Sequence, residues 1–238
     1  MNKRKPKNND GKIINFYDEM DKQFLDKPIA NPNMTLHNFS IPFRLCCVAP
    51  SGSGKSNWIT NLIHLFSIGR GTFAYIHIIC KDVSEPLYKF LASKSDQISL
   101  KEGLHNLPDL EKMDKEIATL VIVDDCQLEK NQSRVEEYYI RCRKKNVSIC
   151  YLAQNYFIIP KVIRNNCNYL VLLKLSGDRE LNIILKENGL GLTKEQLIDM
   201  YEYATGEKFS PLIIDIESTD KSHKFRKGFT EYLNPFSI

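Results

Sequence analysis

The sequence predicts an α/β protein built on a mainly parallel sheet flanked by helices. Three observations carry that prediction. The apolar run Phe43 to Val48 leads into Ala49-Pro50-Ser51-Gly52-Ser53-Gly54-Lys55-Ser56 and then into a helical stretch, Asn57 to Phe66. Leu120-Val121-Ile122-Val123 is apolar without alternation and ends in Asp124-Asp125. Val147 to Ala153 is a further such run, with Gln154 at its end. Unbroken apolar runs of this length read as strands covered on both faces, the signature of a parallel sheet.

The chain opens with a preamble to about Pro42. Lys3, Arg4, Lys5 and Lys7, followed by Asn8, Asn9 and Asp10, predict a disordered basic tip that solubilises the chain or touches nucleic acid. A short helix is expected over Phe16 to Phe24, and extended chain around Pro28, Pro32 and Pro42.

The stretch Ala49 to Ser56 is then a P-loop, the phosphate-binding element of NTPases, with Ala49 where the full pattern has glycine. Gly52 and Gly54 carry no Cβ, so the backbone can bend tightly and point several N–H groups at a polyphosphate. The following helix adds its positive dipole end. Lys55 supplies a charge to the β- and γ-phosphates, and the Ser56 hydroxyl is a ligand for Mg²⁺. Trp58, Leu62, Leu65 and Phe66, widened by Ile59 and Ile63, give the helix an apolar stripe. Trp58 therefore reads as core rather than as a base-stacking residue, and His64 needs no special role.

Phe73 to Cys80 predicts the next strand, Glu85 to Ala92 a helix, and Ile98 to Leu100 a short strand. Leu110, Met113 and Ile117 suit a short helix over Asp109 to Glu116. The Leu120–Asp125 strand reads as a Walker B: Asp124 supports Mg²⁺, and Asp125 polarises the attacking water. An aspartate in place of glutamate at Asp125 shortens the side chain by one methylene. The bland alternative is a pair of caps for the next helix.

Ser133 to Lys145 predicts a helix closing in Arg141, Arg143, Lys144 and Lys145. Those cations complement a helix C-terminus, or else Arg141 or Arg143 reaches a neighbouring subunit's γ-phosphate. Gln154 stands where P-loop proteins with an added strand between the two motif strands place a γ-phosphate sensor; a turn residue is the alternative. Later elements are a short helix at Pro160 to Arg164, a strand at Tyr169 to Leu175, and a helix lined by Leu181, Ile184 and Leu185 that stops near Gly189. Thr193-Lys194-Glu195-Gln196 is a capping box opening a helix that ends before Gly206. A last strand covers Pro211 to Ile216, and Lys221 to Lys227 reads as basic tail.

With 238 residues, 42% apolar and 26% charged, the chain suits one large α/β domain. A net charge of +4 permits an anionic partner without demanding one. Seven cysteines with no CxxC pair read as buried thiols of a reducing compartment. No apolar run is long enough to span a bilayer, so the expectation is a soluble intracellular protein, or one packed inside something made there.

The order SGSGKS, LVIVDD, Arg141-x-Arg143, YLAQNYF and IPKVIRNN resembles the poxvirus-type genome-packaging ATPases of large DNA viruses and virophages. These belong to the FtsK–HerA superfamily of DNA pumps. The resemblance covers roughly 31–216, and its most discriminating part is Gln154-x-Tyr156-x-x-x-Pro160-x-x-x-Arg164. Where the family often has Arg-Gly-Arg-His, this chain has Arg141-Cys142-Arg143-Lys144, leaving open which arginine would act; Arg164 carries over only as site-associated. The resemblance implies a RecA-like fold and ATP with Mg²⁺ as cofactors. It implies a homo-oligomeric ring moving double-stranded DNA into a capsid, contacts with capsid proteins, and action in the cytoplasmic virus factory or virion. Residues 1–35 would be a flexible basic segment, 36–217 the P-loop ATPase domain and 218–238 a C-terminal tail. Two rivals stay open: a small-molecule kinase, though no lid is evident, and a nucleotide-gated scaffold with negligible turnover. A GTPase would need an Asn-Lys-x-Asp motif, which the sequence lacks.

Overall fold

A computed structural model of the chain describes residues 13–25, 29–188 and 190–235. The expected basic tip (Lys3 to Asp10), the extended chain at Pro28 and the stop at Gly189 lie outside those residues. In chain order the elements are α1 (Phe16–Glu19), α2 (Met34–His37), β1 (Arg44–Val48), α3 (Lys55–Ser67), β2 (Tyr75–Cys80), α4 (Pro86–Ala92), β3 (Ile98–Glu102), β4 (Thr119–Asp124), α5 (Ser133–Arg141), β5 (Val147–Ala153), α6 (Lys161–Asn166), β6 (Tyr169–Leu172), α7 (Arg179–Asn188), α8 (Lys194–Thr205), β7 (Leu212–Asp215), β8 (Phe225–Lys227) and β9 (Glu231–Leu233).

The strands form one sheet in the order β3-β2-β4-β5-β1-β6-β7-β8-β9. Neighbours from β3 to β6 run parallel, and β7, β8 and β9 add an antiparallel margin. The strand ending in Gln154 lies between the P-loop strand and the Asp124 strand, so all three deliver their C-terminal ends side by side. In open parallel sheets that edge is where ligands bind.

Alternation along each strand splits the core in two. Leu45, Cys47 and Ala49 join Leu120, Ile122, Cys150 and Leu152 under α3 and α4, with Trp58, Ile59, Leu62, Ile63 and Phe66 packed down on them. Cys46 and Val48 join Val121, Val123, Ile149 and Tyr151 on the other face, beneath Val135, Tyr138 and Tyr139 of α5, Ile184 of α7 and Met200 of α8. Trp58 is 2% exposed, which settles it as core. All seven cysteines are buried free thiols. Among the described residues no helix is long and apolar enough to cross a membrane.

Five local expectations change. The helix expected at Asp109 to Glu116 is only a 3₁₀ turn at Leu110–Lys112. Asp109 and Asp114 accept from the backbone N–H groups of Glu111 and Glu116, local bonds that compete with a helix. Ser133 to Lys145 divides into α5 and a 3₁₀ turn at Cys142–Lys145, closed by Asn146 in the left-handed region. The strand from Tyr169 ends at Leu172, because the Tyr201 hydroxyl bonds the backbone of Leu173 and Leu175 and draws that segment away. In the preamble, the helix expected over Phe16 to Phe24 is α1 followed by a 3₁₀ turn at Lys22–Phe24, and α2 forms unexpectedly. His37, the last residue of α2, and Phe39 just beyond it are fully buried.

The fifth change is the C-terminal segment read as a tail beyond 217. It supplies β8 and β9 to the main sheet. Its charges hid this: Arg226 is 2% exposed, its guanidinium lying over the Phe39 ring at 4.8 Å and the Tyr169 and Tyr232 rings at 5.9 Å. An arginine can be buried against aromatic faces where a lysine's compact, hydrated charge is less suited.

Candidate active site

The turn after β1 is built as its glycines require. Gly52 and Gly54 sit at φ +77° and +94°, in the left-handed region that side chains disfavour. Ala49 N–H donates to Ala153 C=O at 3.1 Å, pinning the loop beside β5, and Trp58 N–H donates to Gly54 C=O at 2.8 Å, closing the first turn of α3. Lys55 is buried, its ammonium donating to the carbonyls of Ala49 at 2.8 Å and Pro50 at 3.3 Å. The loop thus holds the lysine against its own backbone, at the wall of the cavity that Lys55 also lines.

Asp124 ends β4 fully paired in register with Cys80 of β2 and Leu152 of β5. Its Oδ2 accepts from the Tyr88 hydroxyl of α4 at 2.6 Å, while Oδ1 is buried with no hydrogen-bond partner. Burial pushes the Asp124 carboxyl above its ordinary range; the Tyr88 hydrogen bond and the Lys55 charge oppose that, while Asp125 and Glu85 add to it. The Tyr88 hydroxyl is itself pushed up, first by burial and then by the Asp124 charge.

Asp125 leaves the strand at φ +56°, which turns its side chain out of the sheet and leaves it exposed. Aspartate is among the few residues that adopt this region readily. Its Oδ1 accepts from two amides, Gln154 Nε2 at 2.7 Å and Gln127 Nε2 at 3.1 Å.

These groups line one cavity of about 400 Å³, with Ser51, Gly52, Gly54, Lys55 and Ser56 on one side and Asp124, Asp125 and Gln154 on another. Tyr88 lines it as well, along with Lys81, Asp82 and Glu85. Four carboxylates therefore face two lysines. That balance repels a bare polyphosphate, and a divalent cation bound with it lowers the repulsion. The donor set fits Mg²⁺: a buried carboxylate oxygen without a partner and the Ser56 hydroxyl are hard oxygen ligands.

Not every expected residue lies here. Ala49 and Pro50 contribute carbonyls to Lys55, and Ser53 lines an adjoining cavity. Arg141 and Arg143 are exposed on the far side, just before β5 begins. Seven residues of β5 separate that end from the site, roughly 20 Å at about 3.3 Å per residue. Arg141 pairs with Glu111 and with Glu137. Arg164 has a definite place: it donates to Tyr156 C=O at 3.2 Å, pairs with Glu187 at 3.1 Å and lies over the Tyr156 ring. Tyr156 N–H in turn donates to Glu180 at 2.6 Å. The segment following Gln154 is thereby clamped to α7.

Sequence reading missed Tyr88, whose spacing with Leu91 marks only the buried face of α4. No pattern on the chain connects that helix to Asp124; the contact exists only because α4 packs against α3 and β3, on the sheet face from which Tyr88 reaches the end of β4.

Among solved structures, the genome packaging NTPase B204 of Sulfolobus turreted icosahedral virus 2, in complex with ATPγS, is similar at a TM-score of 0.57 and 16% identity, over 80% of this chain and 98% of that one. B204, the DNA-packaging ATPase of Sulfolobus turreted icosahedral virus, gives 0.55 and 15% over 84% and 98%. ATPases 2 and 3 of EssC from Geobacillus thermodenitrificans give 0.54 and 12%, over 82% of this chain and 40% of that one. At these identities the likeness is one of fold, that of the P-loop ATPases. No curated protein matches the chain by sequence. The poxvirus A32 protein family matches residues 35–219, a span that takes in the P-loop, Asp124, Asp125, Gln154 and Arg164 and more than three quarters of the sequence; the chain belongs to that family.

Proposed function

We propose that the chain is an ATPase that hydrolyses ATP as its Mg²⁺ complex and uses the turnover to translocate double-stranded DNA into a viral capsid. The observation that carries the chemistry is the convergence, in one cavity, of the P-loop, a buried carboxylate oxygen without a partner, and a second carboxylate fixed by a glutamine. The biological setting is supported by the A32 family and by the fold shared with a DNA-packaging ATPase.

In this reading Lys55 leaves the Ala49 and Pro50 carbonyls for the β- and γ-phosphates, and the backbone N–H groups of Ser51 to Ser56 cradle them. Ser56 and Asp124 would hold Mg²⁺, which would supply positive charge against the charge that develops on the phosphates. Asp125 takes a proton from the attacking water as its oxygen bonds to the γ-phosphorus and the bond to the ADP oxygen breaks. Both amide donors converge on Asp125 Oδ1, so Oδ2 is the oxygen left to accept that proton. Gln154, bonded to the base, is placed to register whether the γ-phosphate is present.

The rest of the proposal concerns assembly. Subunits form a homo-oligomeric ring in which Arg141 or Arg143 enters a neighbour's site, and the ring contacts capsid proteins in the virus factory or virion. The ATPase domain is centred on 36–217, with β8 and β9 extending its sheet.

The test is ATP turnover by the full chain with and without double-stranded DNA, alongside oligomer size by sedimentation and a Lys55→Ala control. Mg²⁺-dependent turnover that rises with DNA and vanishes in the control is expected. No turnover under any condition would leave the scaffold reading; turnover by a ring indifferent to DNA would remove the motor.

A further inference from the structure

Beside the phosphate cavity lies a second one, also of about 400 Å³, within the range of roughly 300–1,000 Å³ typical of small-molecule sites. The two share Gly52, the apex of the P-loop turn. The second opens on the side of β6 and the α8–β7 connection, away from Asp125 and Gln154, and among its walls are Ser53, Lys174, Glu207, Lys208 and Phe209. A molecule with its terminal phosphate at Asp125 and its chain running back over Gly52 would place its other end there.

Phe209 is the unusual residue. It has φ +69°, a conformation rare for a bulky side chain and costly to hold. That conformation sets its ring against the P-loop: a Cβ at Gly54 would lie 2.3 Å from Phe209 Cδ1. The residue is nonetheless 41% exposed, with the Lys208 ammonium 4.9 Å from the ring centroid. An aromatic face held next to a phosphate loop, partly open and attended by a cation, is a platform for a flat π-system. Glu207 stands beside it, paired with Lys227 at 2.6 Å, and its carboxylate can accept from sugar hydroxyls.

We propose that the 207–210 loop is the base and ribose subsite of the nucleotide, with Phe209 stacking on the base and Glu207 accepting from the ribose. The proposal rests on the P-loop binding the triphosphate. Stacking reads a π-face rather than a hydrogen-bonding edge, so the subsite accepts adenine and guanine alike.

The experiment measures dissociation constants of the full chain for ATPγS, GTPγS and inorganic tripolyphosphate in Mg²⁺. Phe209→Ala should weaken both nucleotides roughly 5- to 150-fold, the span of base–aromatic stacking, and leave tripolyphosphate unchanged. Phe209→Trp should retain nucleotide affinity. Phe209→Leu keeps an apolar bulk without the π-face and should lose as Ala does, which covers the case in which Ala fails to fold. Glu207→Gln should narrow the difference between ATP and its 2′,3′-dideoxy analogue. Undiminished nucleotide binding by Phe209→Ala or Phe209→Leu would overturn the subsite, as would an equal loss of tripolyphosphate, which would mean that the ring only shapes the P-loop. Failure of the underlying P-loop reading looks different: Lys55→Ala would then bind tripolyphosphate as the unmodified chain does.

Discussion

The Tyr88 hydroxyl donates to Asp124 Oδ2 at 2.6 Å and leaves Oδ1 of the same carboxylate buried and unpartnered. One oxygen is thus fixed and the other kept available, which orients the carboxylate before any ligand arrives. The tyrosine acts through Asp124 on whatever Oδ1 binds, the arrangement by which outer groups tune metal ligands.

Tyr88→Phe removes that donor and almost no volume, so the chain should fold normally. The Mg²⁺ concentration for half-maximal ATP turnover should rise about 10- to 100-fold, the usual effect of losing an outer partner of a metal ligand. Turnover at saturating Mg²⁺ should recover. An unchanged Mg²⁺ titration would reduce Tyr88 to a packing residue of α4.

Asp125→Asn is a clean substitution for a geometric reason. At φ +56° most replacements would add backbone strain, whereas asparagine tolerates the left-handed region at least as well as aspartate. The variant should bind ATP and Mg²⁺ as before and lose turnover by about 10²- to 10⁴-fold, the span of general-base catalysis. Gln154→Ala should keep the base but free its orientation and fall in between. Single-turnover hydrolysis beside ATPγS binding separates the two effects; normal hydrolysis by Asp125→Asn would move the base elsewhere.

His37 makes the fold sensitive to acid. The ring is fully buried, its Nδ1 accepts from Phe39 N–H at 3.0 Å, and Nε2 has no partner. Burial, with the nearby Arg226 charge, lowers its pKa from 6.5 to about 4. The unfolded chain therefore binds the extra proton first as pH falls, and stability is lost between about 6.5 and 4 and intact above. The loss should be roughly 1–3 kcal/mol. Asp124, Glu180 and Asp215 have raised pKa values and act in the opposite sense, so the comparison must be with His37→Leu rather than with theory. The melting temperature of that variant should fall less across this window. Parallel pH profiles would show that His37 does not titrate on unfolding.

How much of this was legible in the sequence follows from how local each feature is. The P-loop, the Asp124-Asp125 strand end and Gln154 are each written in consecutive residues, and the strand order that brings them together follows from that class of motif. Tyr88, Phe209 and Arg226 are not local. Tyr88 meets Asp124 across 36 positions. Phe209 matters through a ring placed on Gly54, and nothing in the Glu207-Lys208-Phe209 stretch announces it. Arg226 made a strand look like a tail, because charge in a sequence reads as exposure until the aromatic rings that bury it are known. Arg164, carried over without a role, becomes intelligible only with α7 in place, where it locks the backbone just past Gln154.

The remaining prediction concerns completion of the site by a neighbour. Arg141 is engaged by Glu111 and Glu137, and Arg143 is exposed, so Arg143 is the better placed to reach another subunit. Neither can serve its own chain's P-loop, from which β5 separates them. A guanidinium supplied in trans offsets transition-state charge, with effects of about a thousandfold or more. Arg143→Ala subunits should therefore bind ATP and hydrolyse it poorly. Were the cation only complementing the end of α5, the loss would be a stability change of roughly 0.3–1 kcal/mol with turnover intact. Mixing separates the two cases. An Arg143→Ala subunit keeps a working P-loop, and a Lys55→Ala neighbour still offers its arginine. Each is inactive alone, and together they should regain part of the activity in rings shown to contain both. Joint rings that stay inactive would count against trans completion and leave Arg143 as a surface charge.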